Sequence, residues 1–491
     1  MTQICVALVE ETTAGMVARM GELAPLADLF EIRADRVTDL DLLTILRART
    51  RPLVLTCRPA SQGGACADDD PRRRMVLLEA VKRGYDYVDV ELHSRFLDVM
   101  IEKVGEGLIV SHHDLEGMPA DLDQLYKEMT EVGADVAKIV VTPRSIADVG
   151  RLLAFAARAA ESGGPPLVAL ALGPLGTLTR VLAGRYGAPF TYASAAPGAE
   201  SAPGQLTAAL LADLYRVRSV SEATKVYGVL GRDVVRSLSP VLHNRALEAR
   251  GLDAVYVPLQ AEALPPFIEA LPALGLSGFS VTRPYKVEIL PYLHEVDEAA
   301  ALCGSVNTVV VHDGLLQGST SDGTGVLVPL KKRIDVKGRR VVILGAGGAA
   351  RAAALALLRK GAQVTLLARD PRQAWEVASV LGCTSGALAD AEIHPWDVLI
   401  NATPVGSGLS WHDSPLSAER HRKGAVVLDM VYDPLETRFL REAQAAEGRV
   451  IGGLEMLVAQ AAAQFEAWTG LEAPVDVMKA TALYLAQARK S

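Results

Sequence analysis

The sequence predicts an α/β protein in two halves: an N-terminal (β/α)8 barrel, then a two-domain half that includes a Rossmann nucleotide-binding domain. Over about the first two hundred residues, eight apolar strand-like segments alternate with segments of helical composition. After the short polar stretch "SEATK" (221–225) the alternation resumes, now with one glycine-rich turn between a strand and a helix. The length of 491 residues, half of them hydrophobic, suits two to four domains with sizeable cores.

The eight predicted barrel strands come first in the chain. They are "ICVALV", "ADLFEIR", "PLVLTCR", "YDYVDVEL", "GLIVSHHD", "DVAKIVV", "PLVALALG" and "PFTYAS". Segments such as "RRRMVLLEAVKRG" (72–84) and "SIADVGRLLAFAARAAESG" (145–163) separate them as predicted helices, and "QLTAALLADLYRVRSV" is the predicted last helix. This alternation fits an open sheet as well as a barrel. The size of this half, close to that of a typical barrel, favours the barrel.

Composition narrows the class of protein. The formal net charge is −8 and no Lys/Arg-rich block offsets it, which argues against a nucleic-acid partner. The five cysteines are scattered without a CxxC pair, so we expect neither disulfides nor a metal site. The longest uncharged stretch is broken by Gly and Pro, which argues against a membrane span. The N-terminus enters an apolar strand almost at once, so we expect no signal or transit peptide and a cytoplasmic location.

Polar residues fall where a barrel enzyme needs them. Glu31 and Arg33 end the second predicted strand, Arg58 ends the third, His113 ends the fifth, and Lys138 lies within the sixth. Barrel enzymes build their active sites at the carboxyl ends of the strands. A single residue of this kind is better explained by a salt bridge in a loop. Five on a single barrel favour an active site.

Lys138 and His113 suggest a chemistry. Burial disfavours an ammonium group and lowers its pKa from about 10.4. A pKa near ~7–8 leaves enough free amine to attack a ketone and form a Schiff base. A nearby imidazole can remove the acidified proton and return it to a departing hydroxyl. The pair therefore suits imine-assisted loss of water from a hydroxyketone. The alternative is a lysine that extends to a carboxylate.

The motifs of this half resemble type I 3-dehydroquinate dehydratase over about residues 1–218. They are "EIRAD" (31–35), "TCRP" (56–59), "VSHHD" (110–114), "AKIVV" (137–141) and "SAPGQ" (201–205). The resemblance implies that Lys138 forms the imine and that His113 is the general acid/base. It also implies that the substrate's hydroxyls and carboxylate are bound by Glu31, Arg33, Arg58, Arg180, Ser201 and Gln205. Gln62 stands where this family often has glutamate.

The second half contains a nucleotide-binding signature in "RRVVILGAGGAARAAALALLRKG" (339–361). A strand, a glycine turn and a helix follow one another, so the helix amides can receive a pyrophosphate. A purely structural glycine turn is the alternative. The next predicted strand ends in Arg369, which suits a 2′-phosphate and favours NADP, although Asp370 follows it. The strand in "VLINATPVGS" (398–407) ends in a small-residue loop suited to the nicotinamide.

A second set of polar residues surrounds this signature. Ser237 and Ser239 lie on a loop that enters a helix, where they suit a carboxylate or simply cap the helix. Lys286 follows a predicted strand, and Asn307 and Asp322 come later in the chain. A lysine and a carboxylate beside a nicotinamide can handle the proton that accompanies oxidation or reduction of an alcohol. Lys286 alone is better explained as a surface charge.

These motifs, with "DMVYDPLETRFL" (429–440) and "GGLEMLVAQAAAQFE" (452–466), resemble shikimate dehydrogenase over about residues 225–491. The resemblance implies that Ser237 and Ser239 bind the substrate carboxylate and that Lys286 and Asp322 are the catalytic pair. It also implies substrate hydroxyl contacts from Thr282, Asn307, Asp322, Lys286 and Gln460. The implied NADP-site residues are Gly345, Gly347, Gly348, Ala349, Arg369, Thr403 and Gly453.

We therefore expect one chain with two consecutive activities. The predicted domains are a dehydratase barrel (1–220), a substrate-binding domain (225–325) to which helices of 455–491 return, and a Rossmann domain (326–454). The expected partners are the small-molecule substrates, with NADP as cofactor and no tunnel between the sites. Two alternatives stay open: a Schiff-base aldolase barrel fused to an NAD-dependent quinate/shikimate oxidoreductase, and a non-enzymatic nucleotide-sensing module.

Overall fold

The computed structural model describes residues 2–488 and divides the chain into two compact units. The first comprises Met1–Tyr227, Asp233–Val235 and Asp253–Leu276, and the second comprises Gly228–Arg232, Arg236–Leu252 and Ser277–Ser491. No helix within residues 2–488 is both long and apolar enough to cross a bilayer.

Eight parallel strands form the sheet of the first unit, and each overlaps one of the predicted segments. They are β1 (Gln3–Leu8), β2 (Leu29–Arg33), β3 (Leu53–Thr56), β4 (Tyr87–Glu91), β5 (Leu108–Asp114), β6 (Val136–Val141), β7 (Leu167–Ala171) and β8 (Phe190–Ser194). Consecutive strands are neighbours from β1 to β7, and β8 returns to pair with β1. This nearly closed parallel sheet confirms the predicted barrel.

The barrel helices begin and end at local sequence signals. They are α1 (Thr13–Leu23), α2 (Leu42–Arg47), α3 (Pro71–Arg83), α4 (Leu97–Lys103), α5 (Leu122–Glu131), α6 (Ile146–Glu161) and α7 (Thr177–Val181). The Asp70 side chain caps α3, and Gly84 ends that helix in the left-handed conformation with φ 80°. Ser145 and Asp148 form a capping box on α6. The predicted last helix is shorter than expected, a π-helical turn at Leu210–Leu214.

The next part of the chain contributes six strands and five helices. They are β9 (Lys225–Gly231), α8 (Ser239–Ala249), β10 (Ala254–Gln260), α9 (Leu264–Leu274), β11 (Leu276–Val281), α10 (Tyr285–Glu288), β12 (Glu295–Val296), α11 (Glu298–Cys303), β13 (Thr308–His312), β14 (Leu315–Ser319) and α12 (Asp322–Lys331). Within the first unit, α9 packs on α6 so closely that a Cβ at Gly150 would lie 2.9 Å from the Cβ of Ala270. Within the second unit, β13 pairs antiparallel with both β11 and β14.

The remaining elements form a parallel six-stranded sheet with helices and two more C-terminal helices. They are β15 (Arg340–Leu344), α13 (Gly348–Leu358), β16 (Gln363–Ala368), α14 (Pro371–Leu381), β17 (Thr384–Ala387), β18 (Val398–Asn401), β19 (Val426–Asp429), α15 (Arg438–Ala445), β20 (Arg449–Ile451), α16 (Gly453–Thr469) and α17 (Val475–Ala488). The strand order is β17, β16, β15, β18, β19, β20, which confirms the Rossmann fold. The order reverses between β15 and β18, so a ligand crevice is expected at their carboxyl ends.

Candidate active sites

The first candidate site is a cavity of about 450 Å³ in the barrel. Its lining includes all the barrel residues that the sequence singled out: Glu31, Arg33, Arg58, His113, Lys138, Arg180, Ser201 and Gln205. The pairing of β5 with β6 positions the two central residues of the cavity. Ser111 is opposite Lys138, and His113 is opposite Val140. Since side chains alternate along a strand, Lys138 and His113 lie on the same face, two residues apart in register.

Lys138 is buried and ion-paired. Its Nζ lies 3.0 Å from Asp89 Oδ2, 3.3 Å from Glu31 Oε1 and 4.0 Å from the centroid of the Tyr192 ring. Burial raises the pKa of Asp89, but the charges of Arg58 and Lys138 outweigh burial and hold that pKa far below its usual value. The free amine expected from burial alone thus has two carboxylates beside it, of which the sequence had singled out Glu31 but not Asp89. Lys138 nevertheless lines the cavity.

Arg58 lies at the centre of the same buried network. Its Nη2 donates to Asp89 at 2.7 Å, and its Nη1 donates to Glu91 at 2.9 Å and to the Ser111 hydroxyl at 2.7 Å. Glu91 also accepts from Arg73. Sequence reasoning missed Asp89 and Glu91. Their spacing on β4 was a usable signal, because two carboxylates that alternate with valine on an apolar strand share one face.

Arg33 and Arg180 differ in whether the guanidinium group is already paired with a carboxylate of the protein. Arg33 makes a bidentate pair with Asp35, at 2.9 and 2.8 Å. Arg180 is 1% exposed, has no acidic partner within 4.0 Å in residues 2–488, and donates only a long 3.4 Å bond to the Tyr192 carbonyl. Its Nε has no partner there either, and burial lowers the pKa of Arg180 to about 10. A buried guanidinium in this condition is a strong candidate to bind an anionic group.

His113 is oriented by Gln62. The Gln62 Oε1 atom lies 3.0 Å from the backbone nitrogen of His113 and 3.2 Å from its Nδ1. Because the backbone N–H donates to this atom, it is the amide oxygen, so Nδ1 carries the proton and Nε2 is free to accept one. Burial, together with the charges of Arg58 and Lys138, lowers the pKa of His113 well below 6.5. A neutral imidazole in this tautomer suits a general base.

The loop after β8 completes the cavity. Gln205 Oε1 accepts from the backbone N–H of Ser201 at 2.8 Å and from its hydroxyl at 3.2 Å. The two side chains therefore order the loop that borders the cavity.

The second candidate site centres on Lys286 and Asp322. Lys286 Nζ donates to Asp322 Oδ2 at 2.5 Å, and Asn307 Nδ2 donates to Asp322 Oδ1 at 2.7 Å. Asp322 is fully buried at the start of α12, whereas Lys286 on α10 is partly exposed. The lysine can therefore reach a ligand while the carboxylate holds it in place, which is an arrangement suited to proton transfer.

Sequence reasoning missed Gln464, which lies one turn after Gln460 on α16. Gln464 is buried and its Nε2 donates to the carbonyl of Asn307 at 2.9 Å. Gln460 lies beside α12, since a Cβ at Gly325 would be 3.2 Å from its Cβ. Helix α16 thus packs beside the residues of the second site. The i, i+4 spacing of Gln460 and Gln464 was the signal available in the sequence.

Ser237, Ser239 and Thr282 are all partly exposed. The Ser237 hydroxyl accepts from the backbone N–H of Ser239 at 3.2 Å, where α8 begins. Thr282 follows β11, four residues before Lys286. In the part of the chain that the structure describes, no hydrogen bond joins either serine to Lys286.

The glycine turn after β15 lies against the second site. Gly345 has φ 115°, and a Cβ there would be 3.1 Å from a carbonyl oxygen of the loop after β18. A Cβ at Gly348 would be 3.5 Å from Lys286 Cδ, so the turn and the lysine are neighbours. Gly347 precedes α13, and Ala349 lies in its first turn. The amides at this helix start suit a pyrophosphate.

The remaining predicted cofactor residues lie at the same edge of the sheet. Thr403 donates its hydroxyl to Asn401 Oδ1 at 2.7 Å. Gly453 starts α16, where a Cβ would come within 2.5 Å of a backbone carbonyl oxygen. Asp370 caps α14 with its side chain, whereas Arg369 is exposed at the end of β16. The cap uses one oxygen of the carboxylate that had complicated the choice of cofactor.

Comparison with known protein families identifies four matching regions. Residues 4–222 match type I 3-dehydroquinase, and residues 229–309 match the shikimate dehydrogenase substrate binding domain. Residues 329–430 match shikimate/quinate 5-dehydrogenase, and residues 453–483 match the shikimate 5′-dehydrogenase C-terminal domain.

Individual relatives agree with these matches. The chain is 35% identical to the Arabidopsis thaliana protein named bifunctional 3-dehydroquinate dehydratase/shikimate dehydrogenase, chloroplastic, over 96% of this chain and 83% of that protein. It is 42% identical to the shikimate dehydrogenase (NADP(+)) of Pyrococcus abyssi, over 53% of this chain and 97% of that one. The Thermus thermophilus shikimate 5-dehydrogenase crystallised with NADP(H) and shikimate superposes with a TM-score of 0.50 and 38% identity, over 53% and 99% of the two chains.

Proposed function

The chain belongs to the bifunctional 3-dehydroquinate dehydratase/shikimate dehydrogenase family, and we propose that the barrel cavity performs the dehydration and the Lys286–Asp322 site the reduction. The two reactions are consecutive, because dehydration of 3-dehydroquinate gives 3-dehydroshikimate, the ketone that is reduced to shikimate. Covalent linkage of two such sites raises the local concentration of the intermediate.

In the barrel, Lys138 is the nucleophile. Its amine adds to the substrate ketone, and loss of water leaves a protonated imine that acidifies the neighbouring carbon. Nε2 of His113 takes that proton, because Gln62 occupies Nδ1, and then delivers it to the departing hydroxyl. Arg180, the guanidinium without an acidic partner in residues 2–488, binds the substrate carboxylate.

The other cavity residues hold the substrate and the nucleophile. Ser201 and Gln205 border the cavity and contact substrate hydroxyls or carboxylate. Glu31, Arg33 and Arg58 also border it. Glu31 contacts Lys138 and Arg58 pairs with Asp89, the other carboxylate beside Lys138, so these two also shape the charge around the nucleophile, whereas Arg33 pairs with Asp35. A preorganised field of this kind lowers the cost of forming a charged imine.

In the dehydrogenase half, Lys286 and Asp322 are the catalytic pair. Lys286 donates a proton to the substrate oxygen during reduction, and Asp322 orients the lysine. The substrate carboxylate is bound by Ser237 and Ser239. The substrate hydroxyls are bound by Lys286, Asp322, Thr282, Asn307 and Gln460.

NADP is the cofactor of this half. When bound, NADPH supplies the reducing equivalents. The residues that would hold it are Gly345, Gly347, Gly348, Ala349, Thr403, Gly453 and Arg369. The turn at Gly345 fits a pyrophosphate, and exposed Arg369 suits the 2′-phosphate.

The proposed domains are a barrel (1–220), a substrate-binding domain (225–325) with returning helices in 455–491, and a Rossmann domain (326–454). The family matches at 4–222, 229–309, 329–430 and 453–483 support these bounds. The cytoplasmic location stays a prediction that cell fractionation tests, and the Arabidopsis relative is named as chloroplastic.

The convergence of Lys138, His113 and Arg180 on one cavity carries the proposal, together with the lysine–aspartate pair beside a nucleotide turn. Incubation with 3-dehydroquinate and NADPH is expected to yield shikimate and oxidised cofactor. Borohydride added with 3-dehydroquinate alone is expected to fix a substrate mass on the peptide that contains Lys138. Products of carbon–carbon cleavage would favour the aldolase alternative, and absence of any adduct would exclude the imine.

A further inference from the structure

A buried side-chain pair joins two strand ends of the Rossmann sheet. Asn401 ends β18 and Asp429 ends β19, and the two are opposite each other in the parallel register. Both are fully buried, and Asn401 Nδ2 donates to Asp429 Oδ1 at 2.9 Å. Neither side chain is among the residues assigned above to substrate or cofactor.

Asn401 organises the loop that follows β18. Its Oδ1 accepts from the backbone N–H of Thr403 at 3.0 Å and from the Thr403 hydroxyl at 2.7 Å. Its Nδ2 also donates to the carbonyl of Val405 at 3.1 Å. Both amide hydrogens and both acceptor positions of the side chain are thus used. This loop touches the nucleotide turn, because a Cβ at Gly345 would lie 3.1 Å from the carbonyl oxygen of Ala402.

Asp429 organises the loop that follows β19. Its carboxylate accepts from the backbone N–H of Val431 at 3.0 Å and from the Thr437 hydroxyl at 2.6 Å. Thr437 in turn caps α15. The loop lies directly against the start of α16, since a Cβ at Gly453 would come within 2.5 Å of the Val431 carbonyl oxygen. One network therefore fixes both loops at the edge of the sheet where a nucleotide is expected.

We propose that Asn401 and Asp429 are positioning residues for NADP: they hold the loops after β18 and β19 in the conformation that receives the cofactor. The inference rests on the NADP site proposed above. Asn401 acts through Thr403 and Val405, and Asp429 acts through Asn401 and Val431. All hydrogen-bonding positions of the buried Asn401 amide are occupied, so its removal leaves several polar groups without partners. The loop after β18 is then free to rearrange.

Titration of the full-length protein with NADPH, followed by fluorescence, tests this proposal. Asn401→Ala is expected to raise the Kd for NADPH about tenfold, the lower end of the effect of residues that orient binding groups. The dehydratase kcat/KM of the same sample is expected to stay unchanged. Asp397→Ala is the matched control, because Asp397 accepts from the Arg340 backbone at 2.9 Å at the opposite end of β18. We expect its Kd to equal that of the wild type.

Two further variants, which change the charges at positions 401 and 429, distinguish a role in positioning the cofactor loops from a role in stabilising the fold alone. Asn401→Asp places a carboxylate against Asp429 and is expected to weaken NADPH binding more than Asn401→Ala. Adding Asp429→Asn removes the repulsion and is expected to restore part of the affinity. Asp429→Asn alone retains an acceptor oxygen for Asn401 and Val431, and the amide nitrogen that replaces the other oxygen can donate to the Thr437 hydroxyl. Its Kd is therefore expected within about threefold of wild type.

Two results would overturn the positioning role. The first is that Asn401→Ala binds NADPH as well as the wild type does while only its melting temperature falls, because the network would then merely support the fold. The second is that Asp429→Asn gives no recovery in the Asn401→Asp background. If the wild type itself does not bind NADPH, the proposed cofactor is wrong instead.

Discussion

The two candidate active sites of this chain differ in how they use charge. The barrel cavity surrounds Lys138 with a buried network in which Arg58 bridges Asp89 and Glu91. Among the residues assigned to the substrate site of the dehydrogenase half, all within residues 2–488, Lys286 and Asp322 form an ion pair, and the others are neutral amides and hydroxyls. Both sites rely on a lysine, but only the barrel encloses its lysine almost completely.

The contrast follows from what each protein site must supply. In the reaction proposed for the barrel, the protein itself provides the nucleophile and must stabilise a cationic imine, so the charges around Lys138 would take part in the reaction. In the dehydrogenase, the cofactor carries the electrons, and the protein mainly orients the substrate and moves one proton. Neutral donors such as Asn307 are sufficient for orientation and avoid the desolvation cost of further buried charges.

Lys138→Ala is the change expected to have the largest effect. Without the amine no imine can form, so dehydratase kcat is expected to fall by at least about a thousandfold. Reduction of added 3-dehydroshikimate is expected to proceed at the wild-type rate, and it serves as the control for folding. If both activities fell together in a folded protein, the two sites would not act independently.

Lys286→Ala is the corresponding change in the other site. Loss of the proton donor is expected to lower dehydrogenase kcat by about a hundredfold to ten-thousandfold, with dehydratase kcat unchanged. Supplied with 3-dehydroquinate and NADPH, this variant is expected to accumulate 3-dehydroshikimate. A rise in KM alone would show instead that Lys286 binds substrate without transferring a proton.

The sequence predicted the lysines at the centres of the candidate sites better than it predicted their partners. Lys138 and His113 could be found because charged or titratable residues inside apolar strands are unusual. Asp89 and Glu91 were missed although they alternate with valine on β4, because nothing in their own segment indicates which cations they meet. Their role depends on the long-range contact of β4 with the arginine that follows β3, which no local pattern encodes.

In the dehydrogenase half, too, local sequence patterns do not predict residues whose role depends on long-range contacts. The glycine turn of this half was predictable because a strand, a tight turn and a helix follow one another in sequence. The buried pair Asn401 and Asp429 was not, because it depends on strands β18 and β19 being neighbours. Gln464 likewise depends on where α16 packs. Residues that hold a site together are thus harder to predict than residues whose chemistry is unusual for their segment.

Arg180 and Arg58 offer a sharper comparison within the barrel. Arg180→Met removes a buried cation without an acidic partner in residues 2–488, so the KM for 3-dehydroquinate is expected to rise about tenfold to a hundredfold with little loss of stability.

Arg58→Met leaves Asp89 and Glu91 without their shared cation and is expected to destabilise the barrel by roughly 3–5 kcal/mol. Thermal unfolding and dehydratase kinetics distinguish the two variants, and equal destabilisation would contradict the distinction between free and paired arginines.

Gln62→Glu is expected to have the smallest effect and tests the tautomer of His113. A carboxylate at the position of the Gln62 oxygen, 3.2 Å from Nδ1, favours the imidazolium, so the pKa of His113 is expected to rise by about one unit or more. In the wild type this pKa lies well below 6.5, and the neutral base persists into mildly acidic solution. The acidic limb of dehydratase kcat/KM is therefore expected to move to higher pH in the variant, while the dehydrogenase profile stays in place. An unmoved acidic limb would mean that protonation of His113 does not limit the dehydration, and another group would then have to be the base.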